Sequence, residues 1–416
     1  MAGGSAAVPA GSVREEWRRG GPTVAASFTG MMLSSAVVTS VGVYMTPLQA
    51  EFGWPRAAIA SAVAIVTFFG ALSAPLVGLL IERVGLRKLG IVGCIATPAA
   101  FALIAASGGS IYQFWLTYAL IAMAHAIASP LIWVTGVSRI FSRARGTALA
   151  VVLMGSSAMG ALHPMLATLG LSAIGWRLTI LATALVLLLL TLSMTLAFFR
   201  PPEEMSTPAG RAEAPAVPKL KLGELLQSWL FVRVLLATFL GCMTMLSLVI
   251  HCIPLLIGRG YTPFEASTGM SVVAGTSLVV KIGIGYFVDR TNIARLSAGL
   301  MALTAVPVIL LQVAVPGEIW WLVVIGASLG VASSAELDIL ANIVAKYFGM
   351  ANFTEVYSFV FGAFQLALGV GPILLGLTYD ITGSYDFGLK VMLGLIAVSS
   401  LLFLTLGPPR AEDTAH

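Results

Sequence analysis

Charged residues are scarce in this chain. Lys, Arg, Asp and Glu make up 10% of its 416 residues, whereas ordinary soluble domains carry about 25%. Hydrophobic residues reach 58%, and the mean hydropathy is +0.97. This composition excludes a soluble globular protein and predicts a membrane protein. The net charge of +5 does not indicate nucleic-acid binding, because the basic residues are divided among short loops.

Cysteine is equally scarce. Cys94, Cys242 and Cys252 all lie inside apolar segments, so the sequence offers neither a disulfide framework nor the ligand spacing of a metal site. It also contains no nucleotide-binding loop and no large soluble domain. We therefore expect no enzyme activity, no metal and no cofactor.

An apolar signal-peptide core is missing from the N-terminus. Residues 1–21 are small, polar and basic, which disfavours a cleaved signal peptide and leaves the first apolar helix to direct insertion.

Long apolar runs dominate the rest of the chain. Runs of about 20 residues can cross a bilayer as helices, and continuous rather than alternating hydrophobicity favours helices over a barrel. The predicted fold class is an all-α membrane protein with twelve transmembrane helices. The expected spans are 23–46, 57–81, 89–107, 112–137, 146–170, 176–199, 230–257, 264–288, 294–315, 318–345, 353–378 and 386–407.

One polar segment divides these spans into two sets of six. Residues 200–227 are rich in Pro, Glu and Lys, a composition typical of a flexible linker. The predicted organisation is therefore a cytoplasmic tail, an N-terminal half, a cytoplasmic linker, a C-terminal half and a second cytoplasmic tail. Their boundaries are 1–22, 23–199, 200–228, 229–407 and 408–416.

The basic residues predict the orientation. With the N-terminus in the cytoplasm, 18 of the 23 Lys and Arg residues fall on the cytoplasmic side and 4 on the other, with Lys281 inside the membrane. This asymmetry follows the positive-inside rule. We expect a multi-pass plasma membrane protein, in the inner membrane if the source is bacterial, with both termini in the cytoplasm.

A short motif repeats in the two halves. Gly78, Glu82, Arg83, Gly85 and Arg87 follow the second span, and Gly285, Asp289 and Arg290 follow the eighth, with Glu82 and Asp289 207 residues apart. The first copy resembles the signature loop of the major facilitator superfamily. The resemblance implies two pseudo-symmetric halves and a cytoplasmic latch; a generic positive-inside loop is the alternative. The predicted latch residues are Gly78, Glu82, Arg83, Arg87, Asp289 and Arg290.

Further motifs resemble one branch of that superfamily, the monocarboxylate transporters and oxalate/formate antiporters. They are Tyr44 to Arg56 at the end of the first span, Arg143 to Ala150, Gly175 to Arg177, Tyr347 to Gly349, and Gly371 to Tyr385. The branch implies transport of a small carboxylate.

Lys281 is the most unusual residue of the chain. It lies in the apolar run 264–288, eight residues before Asp289. A charge at such depth is costly, and it usually faces a water-filled pathway or a partner. In the resembled branch an arginine at this position binds the substrate carboxylate, so we expect Lys281 to bind an anion. Lysine offers a point charge instead of a bidentate fork, and Ser277 stands where animal members carry a proton-relay aspartate.

Glu336 and Asp338 in the tenth span are the candidates for proton coupling or for a counter-ion to Lys281. They are two residues apart and so point about 200° apart on a helix, which prevents both from facing one cavity. The alternative is a buried ion pair between Lys281 and either acid, without a substrate role.

Histidines and aromatic residues complete the predicted site. His251 and His125 lie within apolar spans and could donate a hydrogen bond to a carboxylate, with Tyr44 and Trp133 as further cavity residues. Interhelical hydrogen bonding or packing is the alternative for each of them. His163 is the weakest candidate among the three membrane histidines.

The sequence as a whole favours a secondary transporter that moves a small organic anion by alternating access. We expect a monocarboxylate as substrate, protons or an anion gradient as energy source, the lipid bilayer as environment, no nucleic-acid partner, and function as a monomer. An exporter of drugs or other amphiphilic compounds is the rival interpretation, in which the charged groups serve only proton coupling.

Overall fold

The computed structural model describes residues 13–141, 144–201, 227–315, 318–334, 336–349 and 353–407. Within these ranges, the secondary-structure elements are α-helices and one short 3-10 helix at Leu103–Ala106. They are α1 Val13–Phe52, α2 Arg56–Val84, α3 Leu86–Ala102, α4 Ile111–Ala126, α5 Pro130–Ser138, α6 Arg145–Phe198, α7 Trp229–Gly258, α8 Pro263–Arg290, α9 Ile293–Leu303, α10 Ala305–Val313, α11 Ile319–Ser333, α12 Glu336–Phe348, α13 Phe353–Thr382 and α14 Asp386–Leu404.

The all-helical fold class is confirmed, and helices cover each of the twelve predicted spans. Eight helical segments in the described ranges are long and apolar enough to cross a membrane, and one of them, Thr147–Phe198, contains two predicted spans. Arg56–Gly70 and Ile319–Ser333 are shorter apolar helices. Helices are the expected solution in lipid, because they satisfy their backbone hydrogen bonds internally.

Glycines with positive φ form the tightest turns. Gly175 separates the two spans of α6 with φ 77° and ψ 168°. Gly85 has φ 90° and is the single residue between α2 and α3. A side chain would strain both backbones, which explains why the signature loop carries glycine at position 85.

The helices pack as two related halves. In the described part of the chain, the main contacts between the halves are those of α2 with α13, the first part of α6 with α8, and α1 with α7. In the α2–α13 pair, the second span of the N-terminal half contacts the fifth span of the C-terminal half. In the α6–α8 pair, the fifth span of the N-terminal half contacts the second span of the C-terminal half. This arrangement agrees with the predicted pseudo-symmetry.

Both halves also contain a broken fourth helix. In the N-terminal half the span predicted for 112–137 is divided at residues 127–129, with Pro130 at the start of α5. In the C-terminal half the span predicted for 318–345 is divided between Ser333 and Glu336. Each was predicted as one continuous span. Pro130 ends α4 early because it has no backbone N–H to donate.

Most of the predicted linker at 200–228 and both predicted tails, at 1–22 and 408–416, fall wholly or partly outside the described residues. Their assignment as linker and tails stays a prediction.

Candidate functional site

The two halves meet at one end of the bundle. We call it the distal end, because it lies opposite the end where α1 begins and α14 finishes, which we call the terminal end. Gly376 of α13 approaches the first turn of α2 so closely that an added Cβ would lie 2.7 Å from the backbone nitrogen of Ala57. Ser271 of α8 donates to the carbonyl of Ala161 at 2.5 Å. Both contacts join the N-terminal half to the C-terminal half.

Asp380 provides the missing cap of α2. Pro55 occupies the N-cap position and makes no side-chain hydrogen bond. The carboxylate of Asp380, in the other half, accepts the backbone N–H groups of Arg56 and Ala57, both at 2.9 Å. A carboxylate at a helix N-terminus satisfies unpaired donors and interacts favourably with the helix dipole.

Arg56 extends this contact into a buried hydrogen-bond chain. Its side chain is 7% exposed, and Nη1 donates to the Tyr385 hydroxyl at 2.7 Å. The Tyr385 oxygen lies 2.9 Å from His251 Nδ1, and His251 Nε2 lies 2.9 Å from the carbonyl oxygen of Pro372. The guanidinium also stacks on the Tyr379 ring at 3.7 Å. We call Arg56, Asp380, Tyr385 and His251 the distal junction.

The donors and acceptors of this chain have one consistent assignment. Arginine can only donate and a carbonyl can only accept, so His251 carries its proton on Nε2 and donates to Pro372. Nδ1 is then free to accept the Tyr385 O–H, and the Tyr385 oxygen accepts from Arg56. Burial raises the pKa of Tyr385, so this phenol stays protonated. The chain is complete when His251 is neutral.

The long-range hydrogen bonds described at the terminal end, those of Thr23, Arg87 and Tyr347, lie within one half. Thr23 donates to Phe198 at 3.1 Å and Arg87 to Leu196 at 3.0 Å, both within the N-terminal half. Tyr347 donates to Gly407 at 2.5 Å within the C-terminal half. These bonds hold each half together without joining it to the other.

A cavity of about 660 Å³ lies between α2 and α13. Its walls come from residues between Ser61 and Leu72 of α2 and between Gly362 and Val370 of α13. The walls are mainly apolar, with Thr67 and Gln365 among the few polar groups. The contacts of Gly376, Arg56 and Asp380 hold the two halves together at the distal end, so this end is closed.

Lys281 lies on the face of α8 that points toward the N-terminal half. Ala274, two turns earlier and within about 20° of the same direction, sits 3.4 Å from a Cβ added at Gly160 of α6. Val279 points about 160° away from Lys281, and its side chain is 69% exposed. Lys281 is itself exposed. Its position on the helix therefore directs it to the space between the halves rather than to the opposite, lipid-facing side.

The helix breaks place two more predicted residues. His125 is in the last turn of α4, one residue before the helix ends. It is half-buried, and its Nδ1 has no hydrogen-bond partner in the part of the chain that the structure describes. Glu336 is the first residue of α12, directly after the other break. Broken helices commonly form the binding sites of transporters, because their free ends present unpaired backbone groups.

Tyr44 and Trp133 are both buried inside the N-terminal half. Tyr44 is 2% exposed and packs against His163 with ring centroids 6.2 Å apart. Trp133 is fully buried, donates its indole N–H to Ala128 at 2.9 Å and packs edge-on against Phe199. In this conformation both residues serve as helix contacts; a substrate-binding role for either stays a prediction.

The predicted cytoplasmic latch is only partly visible. Arg83 is exposed, and Arg87 makes its described bond to Leu196 within its own half. The surroundings of Gly78 and the side chains of Glu82, Asp289 and Arg290 lie outside the described residues. The side chains of Glu336 and Asp338 lie outside them too. The latch and the proposed counter-ions to Lys281 therefore stay predictions.

Metal ligation finds no support in the described parts of the chain, where no group of three or more His, Cys, Asp and Glu side chains could hold an ion.

Comparison with known proteins identifies the family. The family model of the Major Facilitator Superfamily matches residues 27–317. The chain belongs to the Major Facilitator Superfamily. Members of this superfamily are membrane transporters rather than enzymes, which agrees with the repeated halves and the long apolar helices described above.

The chain is also similar to spinster homolog 1 from Homo sapiens and from Mus musculus. In both cases the identity is 27% over 157 residues, which cover 36% of this chain and 30% of the relative. The match thus spans less than a third of the relatives' length. These relatives leave the monocarboxylate and oxalate/formate branch a prediction.

A solved structure confirms the fold. It is a bacterial homolog of the human lysosomal transporter spinster, described as inward-facing and unoccupied. The TM-score is 0.64 at 16% identity, with 95% of each chain covered. At this identity the likeness shows the major facilitator fold alone.

The distal junction was not predicted from the sequence. Arg56 and the segment from Gly371 to Tyr385 were recognised there only as family motifs, and His251 was expected to contact the substrate. Arg56 and Asp380 are 324 residues apart in the chain. A weak signal was present: Arg56 and Asp380 are charged residues next to apolar spans in two motifs of the same family.

Proposed function

We propose that this protein is a proton-coupled secondary transporter of a small organic anion, with a monocarboxylate as the leading substrate class. Alternating access between two halves moves the substrate. The observation that carries the proposal is the position of Lys281, an exposed cation on the face of α8 directed between the halves.

The electrostatics favour an anion at this place. A lysine between apolar helices needs a negative partner or water. A carboxylate that enters from solution can neutralise the ammonium, and Glu336 or Asp338 can take its place when the site is empty. Exchange between these two partners would couple substrate binding to the relative movement of the halves.

His125 is the proposed hydrogen-bond donor to the substrate. Its unpaired Nδ1 and its place beside a helix break distinguish it from His251, whose two ring nitrogens are both occupied. An imidazole can donate a hydrogen bond to a carboxylate and can carry a proton.

Transport measurements test the proposal. Reconstituted protein is assayed for uptake of radiolabelled lactate, pyruvate and oxalate, with and without an inward proton gradient. We expect gradient-stimulated uptake of at least one of them, its loss in Lys281→Ala, and partial retention in Lys281→Arg. Lys390→Ala is the matched control, because Lys390 is also exposed but lies near the distal start of α14.

The result that would overturn the anion site is uptake by Lys281→Ala at the wild-type rate. Uptake lost equally in Lys390→Ala would attribute the effect to general charge or folding, and would also count against Lys281.

Transport of an amphiphilic compound is the second candidate. The apolar cavity between α2 and α13 favours it, since exposed Phe68, Leu72 and Leu366 line an opening that an apolar molecule could enter. Under this alternative, Leu366→Ser lowers the flux of an amphiphilic dye while Lys281→Ala leaves the flux of neutral compounds intact. The anion proposal expects the opposite pattern.

A further inference from the structure

We propose that His251 is a proton-binding residue of the distal junction and that its protonation from the distal side opens this end of the transporter. The inference rests on alternating access as proposed above, but it needs no particular substrate. It gives His251 a role different from the substrate contact expected from the sequence.

The geometry makes the junction sensitive to one proton. Neutral His251 accepts the Tyr385 O–H at Nδ1 and donates from Nε2 to Pro372. A proton added to Nδ1 turns this acceptor into a donor. The Tyr385 O–H then loses its acceptor, while the Tyr385 oxygen faces donors from both His251 and Arg56. A buried hydroxyl hydrogen without an acceptor is unfavourable.

The surrounding charges act in the same direction. Arg56, at the start of α2, faces the junction as a cation, so a second positive charge on the imidazole is repelled. Asp380 of α13 is the anion of the group, but both of its oxygens accept backbone N–H groups of α2. Glu51 of α1 pairs with Arg177 at 2.7 Å. Gln49 accepts from Arg56 Nε at 2.8 Å and is uncharged.

The junction also spans the two halves at the place where they must part. Arg56 belongs to the N-terminal half, and Asp380, Tyr385 and His251 belong to the C-terminal half. Opening the distal end has to break the bonds from Arg56 and Ala57 to the C-terminal half. It would also expose His251 to water, where an imidazole binds a proton near neutral pH. Proton binding and opening therefore favour each other.

Distance measurements between spin labels test the proposal in nanodiscs without substrate. Tyr112→Cys and Ile381→Cys place labels at the distal ends of α4 and α13, where both positions are 75% exposed. Cys94, Cys242 and Cys252 are replaced by Ala in the background protein. We expect the open population to rise from pH 8 to pH 5, by at most about tenfold per pH unit for a single proton.

His251→Gln should abolish this pH response, because glutamine cannot be protonated. His163→Gln is the matched control: His163 is also a buried membrane histidine, at 2% exposure, and should leave the response intact. Tyr385→Phe removes the hydroxyl that both Arg56 and His251 contact. It should open the distal end already at pH 8, and it decides the case if His251→Gln does not fold.

Three results would overturn the proposal: no pH response in the parent protein, a parent-like response in His251→Gln, or a parent-like response in folded Tyr385→Phe. A slope steeper than one proton would also overturn the assignment to His251 alone. The substrate proposal fails separately, through absent carboxylate uptake in a protein whose distal end still opens with acid.

Discussion

The two ends of this transporter are held together in different ways. At the distal end, hydrogen bonds cross between the halves: Asp380 caps α2 and Arg56 bonds to Tyr385. At the terminal end, the bonds of Thr23, Arg87 and Tyr347 stay within their own halves. The crossing bonds stabilise the distally closed state.

Charged side chains at the distal end make two kinds of contact, within one half and between the halves. Arg177 and Glu51 form an ion pair at the distal end, and so do Arg259 and Asp386. Each pair lies within one half, so a rigid movement of the halves leaves it intact. The contacts of Arg56 and Asp380 exist only when the distal end is closed. Only interactions that differ between two states can shift the equilibrium between them.

The largest expected effect follows from Arg56→Ala. The substitution removes a buried charged donor from Tyr385 and Gln49, which costs the closed state about 2 kcal/mol and shifts the equilibrium ~30-fold toward distal opening. Labels at Lys88→Cys and Arg295→Cys at the terminal end should approach each other while the distal pair separates. The control is Arg177→Ala, another distal arginine; an equal shift in that variant would contradict the comparison.

Gly376→Ala should have the next largest effect. Its Cβ would meet the first turn of α2 at 2.7 Å, a backbone contact that cannot move aside cheaply. Overpacking of this kind costs about 1–3 kcal/mol, here only in the closed state. Gly362→Ala on the same helix has open space around its Cβ and should leave the label distances unchanged. Identical behaviour of the two variants would refute the close approach.

Asp380→Asn is expected to produce a smaller shift of the same sign. The amide keeps one oxygen to accept a backbone N–H of α2 but presents its NH₂ group to the other, so the loss is about 1 kcal/mol of the closed state. Asp386→Asn breaks an ion pair inside the C-terminal half and serves as the control. The distal label distances of the two variants show which of them opens the distal end further. A larger shift in Asp386→Asn would contradict the capping of α2 by Asp380.

The smallest effect is expected for Glu51→Gln. Glu51 is paired with Arg177 at an exposed position within the N-terminal half, and exposed ion pairs contribute little. We expect a slightly lower unfolding temperature and unchanged label distances. A clear conformational shift would mean that within-half pairs also control the distal end.

Sequence reasoning was most successful where the local pattern is sufficient. The helix at Trp229–Gly258 follows from one apolar run, and the turn at Gly85 follows from its place in the signature loop. Lys281 was recognisable because a charge in an apolar run is unusual whatever surrounds it. The break at 127–129 was visible as Pro130 but was not predicted, since a proline often only bends a membrane helix.

Side-chain partners were harder to predict. His251 has the residue type of a substrate ligand, yet both of its nitrogens are occupied by Tyr385 and Pro372. Trp133 has the composition of a cavity wall, yet it packs within the N-terminal half. The partners of His251 lie far away along the chain, and so does Phe199, against which Trp133 packs.

The sequence by itself determined that this protein is a membrane transporter of two six-helix halves. Hydrophobic length and charge asymmetry are properties of local segments, and the bilayer acts on each segment separately. Only the tertiary structure decided that Arg56 and Asp380, 324 residues apart, form a junction between the halves. The reason is physical: such contacts exist in one packing of the two halves, and a transporter must have more than one.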